Sequence, residues 1–588
     1  MLSLFPWDER LFTGLVALTL LAPLAVAALV ARFPQRAALR ALGPLTVLPA
    51  LALALGPRME VGFPTLVLGV RFGVDAAASV FLLFSAVVWG VAGWFSLHYL
   101  AHDANRVRHS VFFHLAQAGN LGVVLAQDVA TFYFCFALMS FASYVLVVHD
   151  GLPASRTAGR IYLTMALIGE VIQFIAFSMI SLEDPDGRLS AIPAVVAASP
   201  YRDLIVVLVL VALGIKFGLV PLHVWLPLAH PAAPAPASAV LSGCMIKAGL
   251  LGWIRFLPLG LVDLPGIGQA LMALGVVGSL GGALIGVTQR HPKAVLAYSS
   301  ISQMGLMAVL VGIALARAEA APLAILAAIL YALHHALAKG ALFLGVGMAT
   351  SAAGGRATRA LLFAGCALAG LSLAGGPVTS GLLAKTALKK VAAWAPAEVS
   401  SALALCLSLG AVGTTLLMAR FLVRLHALTQ EPVHHEHASK KIWLPWLLLL
   451  GVMMALPWWV ASSLNPEWAQ SAVKTGVWGK LLGPILLGLL LAVGAYWLRR
   501  SARPLEIPAG DLLLLYQLFF CGWRVLFGVA VAGLQKTVER VSAWLQAAAR
   551  LAQDRSRWLA RAEAQLSGFT ALGLALAALT GLALWAGR

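Results

Sequence analysis

The chain reads as an all-α polytopic membrane protein. Three observations predict it. Hydrophobic residues make up 61% of 588 positions, charged residues only 11%, and mean hydropathy is +0.91. Soluble domains run near 45–50% apolar and about 25% charged. Apolar runs of bilayer length repeat along nearly the whole sequence. Two of those runs are over-long and broken by proline or glycine.

The runs lie near residues 11–31, 39–55, 74–98, 108–126, 128–149, 158–182, 200–230, 235–257, 266–288, 293–315, 321–348, 358–395, 400–424, 442–463, 476–498 and 566–587. At about 20 residues per crossing they predict about 16 transmembrane helices. The first run lacks a basic leader and is long enough to remain as an anchor. Run 200–230 is interrupted at Pro221 and Pro227, and run 358–395 at Gly375-Gly376-Pro377. Backbone freed at these breaks must face protein or water. The breaks lie five spans apart, which predicts two inverted five-helix repeats, each with a broken helix. The expected organisation is helices 1–3 in residues 1–107, one repeat (helices 4–8) in 108–257, the second (helices 9–13) in 258–425, helices 14–15 in 426–505, a lateral amphipathic helix in 506–565 and a last span in 566–588. The lateral helix is expected from charges at Lys536, Glu539, Arg540, Arg550 and Arg557 interleaved with Val538, Val541, Trp544 and Trp558. Its beginning, Asp511 to Leu534, is apolar enough to be read alternatively as a further span.

The net charge is +18. In a polytopic chain this reflects basic residues collected on the cytoplasmic side, not nucleic-acid binding. Arg32, Arg36 and Arg40, then Arg106 and Arg108, Arg156 and Arg160, Arg290 and Lys293, Arg356 and Arg359, Arg420 and Arg424, and Arg499, Arg500 and Arg503 fall on one side of the expected topology. The other side carries Glu183-Asp-Pro-Asp186, and Lys389 and Lys390 depart from the rule. The expected location is the cell (inner) membrane, with both termini outside the cytoplasm.

Lysines inside the apolar runs are the chemical signal. Lys216 lies within Leu204 to Leu222, directly before the break, and Lys247 lies in the next run. A charge at membrane depth costs roughly 2.5–3.5 kcal/mol on insertion scales, so lysines kept there point to ion or proton handling. Glu170 lies mid-span in run 158–182. The five cysteines are too scattered to form a metal or redox pair, and no nucleotide loop, iron–sulfur set or haem pair is visible. His434-His-Glu-His437 has metal-ligand types but sits in a polar loop beside Lys440 and Lys441, which favours a solvated loop. No cofactor, metal or catalytic residue is expected.

The string Gly214-Ile-Lys-Phe-Gly-Leu-Val-Pro-Leu-His-Val-Trp-Leu-Pro227, with Ala229-His-Pro-Ala-Ala-Pro, Lys247-Ala-Gly, Lys293-Ala-Val-Leu-Ala-Tyr-Ser-Ser-Ile-Ser-Gln-Met-Gly305, His335-Ala-Leu-Ala-Lys339-Gly and Ser380-Gly-Leu-Leu-Ala-Lys385, resembles the antiporter-like proton-channel subunits. These occur in respiratory complex I, in membrane-bound hydrogenase and formate hydrogenlyase complexes, and in Mrp-type cation/proton antiporters. The resemblance covers about residues 70 to 425, and its wording leans to the hydrogenase branch.

The resemblance implies a proton-translocating subunit of a multi-subunit, NADH:quinone oxidoreductase-like complex, with its electrons carried by partner subunits. Its partners are other membrane subunits, contacted partly through the lateral helix. By position, Lys216 resembles the key lysine of the first broken helix and Lys247 the connecting lysine. His335 and Lys339 resemble the central relay, and Lys385 the exit lysine. His223, His230 and His334 are further relay candidates, although His223 and His230 could equally cap carbonyls freed at the break. Three departures stand out: Ala137 replaces a glutamate, Leu228 replaces an acidic residue, and Tyr331 replaces a first relay histidine. Glu170 is expected to compensate at Lys216. Alternative readings are a non-redox module, either an Mrp-type cation/proton antiporter, with sodium left open as its cation, or part of an inorganic-carbon accumulation system, and a degenerate structural subunit.

Overall fold

The computed structural model describes residues 7–64, 69–351, 355–430, 440–498 and 507–513, with residues 516, 536, 538–543 and 577–578 beyond them. Twelve of the described helices are long and apolar enough to cross a membrane.

The chain opens with α1 (Glu9–Arg32), capped by the Asp8 carboxylate, which accepts from the Leu11 amide at 2.7 Å. Next come α2 (Ala37–Leu55), α3 (Ala76–Tyr99) and α4 (Arg106–Leu125). Then follow α5 (Val129–Val147), α6 (Pro153–Glu183) and α7 (Arg202–Phe217). Past the first break lie α8 (Leu226–Ala232) and α9 (Ala235–Phe256), and then α10 (Pro265–Gly286), α11 (Pro292–Ala316) and α12 (Ala321–Ser351). The second broken region is α13 (Arg356–Ala374) and α14 (Ser380–Ala392). Helices α15 (Ala397–Gln430), α16 (Trp443–Leu464) and α17 (Thr475–Leu498) complete the series. Each apolar run from 11–31 to 476–498 falls on one of these helices, except the two broken runs, which fall on two each: 200–230 on α7 and α8, and 358–395 on α13 and α14. Helix α13 alone has the length and composition of a full crossing. The expected last span and most of the lateral helix lie outside the described residues, as does His434–His437; residues 538–543 are helical.

One element departs from the all-α expectation. Glu60–Phe63 (β1) and Val70–Gly73 (β2) form an antiparallel pair with Glu60 opposite Gly73. Burial of Val61 and Phe72 anchors it, and Phe72 bridges to Ala126 at the end of α4. Asp128 caps α5 through the Thr131 amide (2.7 Å) and also accepts from the Arg71 amide (2.7 Å). Outside the spans, the Arg71 guanidinium bonds Asp186 at 2.6 Å and holds that carboxyl below its ordinary range. Two four-residue strands give too short an alternation to stand out among long apolar runs.

Helix α11 is buried along its full length, and α12 along nearly all of it. A helix apolar all round belongs in a core, and these two form the centre on which the site is built. Helix α10 lies against α11 through Gly268, Gly275 and Gly282. A methyl group at any of them would run into the carbonyl of Gly312, Gly305 or Tyr298. Small residues that let backbones touch are the usual glue between membrane helices. Leu18, Leu21, Phe174, Leu284 and Leu490 point outward, more than half exposed, as suits a lipid-facing surface.

Candidate proton path

The first broken helix ends where Gly218 adopts the left-handed conformation (φ 80°) that a side chain would disfavour. The indole of Trp225 then donates at 2.8 Å to the Ile215 carbonyl, which also accepts from the Gly218 amide at 3.2 Å. Lys216, in the last turn of α7, is therefore not needed as a cap. Its ammonium donates to Ser140 Oγ (3.1 Å) on α5 and to Tyr162 OH (3.0 Å) on α6. It also lies 5.7 Å from the Phe136 ring centroid and 5.3 Å from that of Tyr162. Phe136, Ser140, Tyr162, Gly169, Lys216 and Trp225 line a cavity of about 10 Å³, room for roughly one water.

Glu170 is buried, faces away from lipid, and lies within electrostatic reach of Lys216 and beside Ser140. The two do not form a direct ion pair, and neither carboxylate oxygen is hydrogen-bonded. Ala137, where the resemblance implies a glutamate, sits half-buried one position after Phe136. Lys216 thus has two neutral hydroxyls as its immediate partners and a carboxylate just beyond them. Sequence reasoning missed Ser140 and Tyr162.

A second group surrounds α12. Lys247, His335, Lys339 and His230 are fully buried, and His334 and Lys385 nearly so. Electrostatic proximity links them in series. Lys385 and Lys247 act on His334, Lys247 and Lys339 act on His335, and Lys339, Lys293 and Lys247 act on His230. Among the described residues, no carboxylate acts on Lys247, Lys339 or Lys385, and Lys216 is not one of their neighbours.

Local backbone irregularities position these lysines. Helix α9 contains a π-turn, Leu241–Met245, in which the Ile246 amide bonds Leu241 O (3.2 Å) instead of Ser242 O one residue later. The Ser242 carbonyl accepts from the Lys247 ammonium instead. Such π-bulges recur at functional sites. Lys339 donates to Leu296 O at 2.6 Å and to the Ser299 hydroxyl. At the second break, Gly375 is left-handed (φ 88°), and the β-branched Val378 is held at φ 61°, a strained conformation. Lys385 donates to the Ala374 carbonyl at 2.6 Å, capping α13. A Cβ at Gly381 would collide with the Ser372 carbonyl, so glycine lets α14 begin against the end of α13. Ser372 and Ser380 hydroxyls share a hydrogen bond (3.0 Å), and Ser380 shares another with His334 Nδ1 (2.9 Å).

His335 has both ring nitrogens buried without partners, and so does His230, whose ring stacks on Phe343 at 4.5 Å. His223 instead shares a hydrogen bond with Asp511 (3.2 Å), which also accepts from Tyr298 OH (2.9 Å). Neither His223 nor His230 caps a freed carbonyl. Tyr331 donates to Gln303 (2.7 Å), which donates on to Thr414 (3.0 Å), so the residue replacing a relay histidine starts a neutral polar chain. Among the described residues no group of acidic, histidine or cysteine side chains could hold a metal.

Residues 126–408, the stretch holding both groups, match the transmembrane family described as NADH:quinone oxidoreductase/Mrp antiporter. This stretch of the chain is similar to antiporter-like membrane subunits. It is 28% identical over 285 residues to hydrogenase-4 component B of Escherichia coli K12, which covers 47% of this chain and 42% of that protein. It is 26% identical over 407 residues to an Na(+)/H(+) antiporter subunit of Alkalihalophilus pseudofirmus, covering 66% of this chain and 80% of that one. The fold is shared with a chain of the Mrp complex from Dietzia sp. DQ12-45-1b, at TM-score 0.72 and 23% identity over 98% of this chain and 63% of that one. The chain spans less than half the length of several curated relatives, hydrogenase-4 component B among them. The chain is a multi-pass membrane protein.

Proposed function

We propose that this subunit moves protons along the row Lys247, His335, Lys339, His334 and Lys385, with Lys216 and Glu170 as a second proton-binding pocket. The row is part of a multi-subunit energy-converting membrane complex whose electron carriers, if it has them, lie in partner chains. The observation that carries this reading is the chain of buried titratable nitrogens with no carboxylate among the neighbours of its lysines. Like charges this close in a low dielectric hold fewer protons than they have nitrogens, so each proton has an empty place to move to. Lysine suits this role because it can release its proton, whereas arginine stays charged. Lys247→Ala and Lys385→Ala, each in complex-bearing membrane vesicles, should abolish proton movement while the subunit stays assembled. Normal movement in both would sink the reading.

A second reading, a cation/proton antiporter module, is favoured by the similarity to a protein named as an Na(+)/H(+) antiporter subunit over most of its length. Sodium-dependent proton movement in vesicles without an electron donor would select it. The partners are other membrane subunits, engaged partly through the stretch 506–565. The subunit sits in the cell (inner) membrane with both termini outside, so a reporter fused after Arg588 should be active only outside the cytoplasm. Cytoplasmic activity would show that Asp511 to Leu534 is a further span or that another span is miscounted.

A further inference from the structure

A cavity of about 960 Å³ opens beside the first break. Exposed Asp150, Arg290 and His291, in the loops that join α5 to α6 and α10 to α11, and exposed Thr157 near the start of α6 form its mouth. Both loops belong to the arginine-rich side. Deeper in, its wall includes Pro231 and Ala294. These are the chain neighbours of two buried bases that the row above does not use, His230 and Lys293.

We infer that this cavity is the proton-uptake vestibule, and that Lys293 and His230 carry protons from it to Lys339 and Lys247. The inference rests on the proposed function and adds the place where protons join the row. Lys293 is buried and donates to the Ala233 carbonyl at 2.6 Å, at the end of α8, with Asp150 of the cavity mouth within electrostatic reach. His230 comes next. Lys293 acts on it from one direction and Lys339 and Lys247 from the other. Both its ring nitrogens are buried and without hydrogen-bond partners. Buried polar atoms are nearly always paired, and each exception calls for an explanation. A transfer relay supplies one, because an imidazole can accept at one nitrogen and release at the other.

The step balances. The Lys293 ammonium gives one proton to the unprotonated ring nitrogen of His230, leaving a neutral amine and an imidazolium. The imidazolium releases the proton on its other nitrogen to a neutral amine of Lys339 or Lys247. Water in the vestibule, protonated from bulk, reloads Lys293. The competing explanation for Lys293 is that it only caps α8. Arginine separates the two, since it donates to the same carbonyl but does not release a proton.

The test uses the complex with the full chain in proteoliposomes, with a potassium diffusion potential driving proton flux read by a pH-sensitive dye. Lys293→Arg and His230→Gln should each slow initial uptake by about a hundredfold or more, the range lost with a positioned acid–base group. Thr157→Cys should carry normal flux until a membrane-impermeant maleimide added on the arginine-rich side modifies it, and should then slow to the same degree. Wild-type flux in Lys293→Arg and in labelled Thr157→Cys would overturn the inference, even if His230→Gln failed to assemble. Lys385→Ala serves as the reference. If it blocks flux while the Lys293 and His230 variants do not, the vestibule is wrong and the row stands. If it too conducts normally, the row itself fails.

Discussion

The two broken helices end in the same way and use their lysines differently. Each stops at a left-handed glycine, Gly218 or Gly375. At the first break a neutral indole, Trp225, takes the Ile215 carbonyl. Lys216 is left to two hydroxyls, with Glu170 beyond them. At the second break Lys385 itself takes the Ala374 carbonyl. Its electrostatic neighbours are cations and histidines, not acids. Structural and chemical work are therefore divided between two residues at one break and combined in one at the other.

The largest expected effect tests that division directly. Lys385→Met should stop proton flux and also lower the unfolding temperature of the purified complex, because an unpartnered buried carbonyl costs about 1–3 kcal/mol. Lys216→Met should reduce flux with a smaller thermal shift, since Trp225 keeps its carbonyl satisfied and Tyr162 retains its bond to Ser140 O. Equal shifts in the two variants would break the comparison. Next in size, Glu170→Gln should slow proton transfer in vesicles without disturbing assembly. Adding Ala137→Glu to that variant should restore part of the rate, as residue 137 lies one helical turn from Ser140. A Glu170→Gln variant as fast as wild type would leave Lys216 without a charged partner of consequence. Trp225→Phe keeps a ring against Tyr162, where the centroids are 5.1 Å apart, but removes the donor. It should cost about 0.5–1.5 kcal/mol in stability with flux retained. The smallest change is expected from Tyr162→Phe, which leaves Ser140 on Lys216 and should slow flux less than Glu170→Gln. A larger loss would make the phenol a carrier of protons and not only a donor partner.

Much of this was legible in the residues. The apolar runs located the helices because a membrane span must carry its own length in apolar side chains. The lysines stood out because a charge there is costly. What the sequence hid was local irregularity and distant partners. Ser140 and Tyr162 reach Lys216 across 76 and 54 positions, and nothing about a serine or tyrosine in an apolar run marks it as a ligand. The strands at Glu60–Phe63 and Val70–Gly73 were too short to register against the helical background. Glu170 could be read as facing Lys216 because it is a lone carboxylate in a neighbouring span. That Ser140 stands beside it, with no direct ion pair formed, depended on how α5, α6 and α7 pack.

The π-turn before Lys247 has a consequence for genetics. A π-turn is the footprint of one residue inserted into an α-helix. Removing one codon from Leu241–Met245 should close the bulge into ordinary α-helix and leave the downstream half facing as it does now, because the wide turn has already absorbed the extra residue. Lys247 would keep its face, but the carbonyl it holds, that of Ser242, would regain a backbone donor. The reading frame, the composition and the hydropathy profile would scarcely change, yet the lysine would lose its carbonyl partner. A single in-frame deletion at that turn therefore separates what the freed carbonyl does for Lys247 from where the lysine stands.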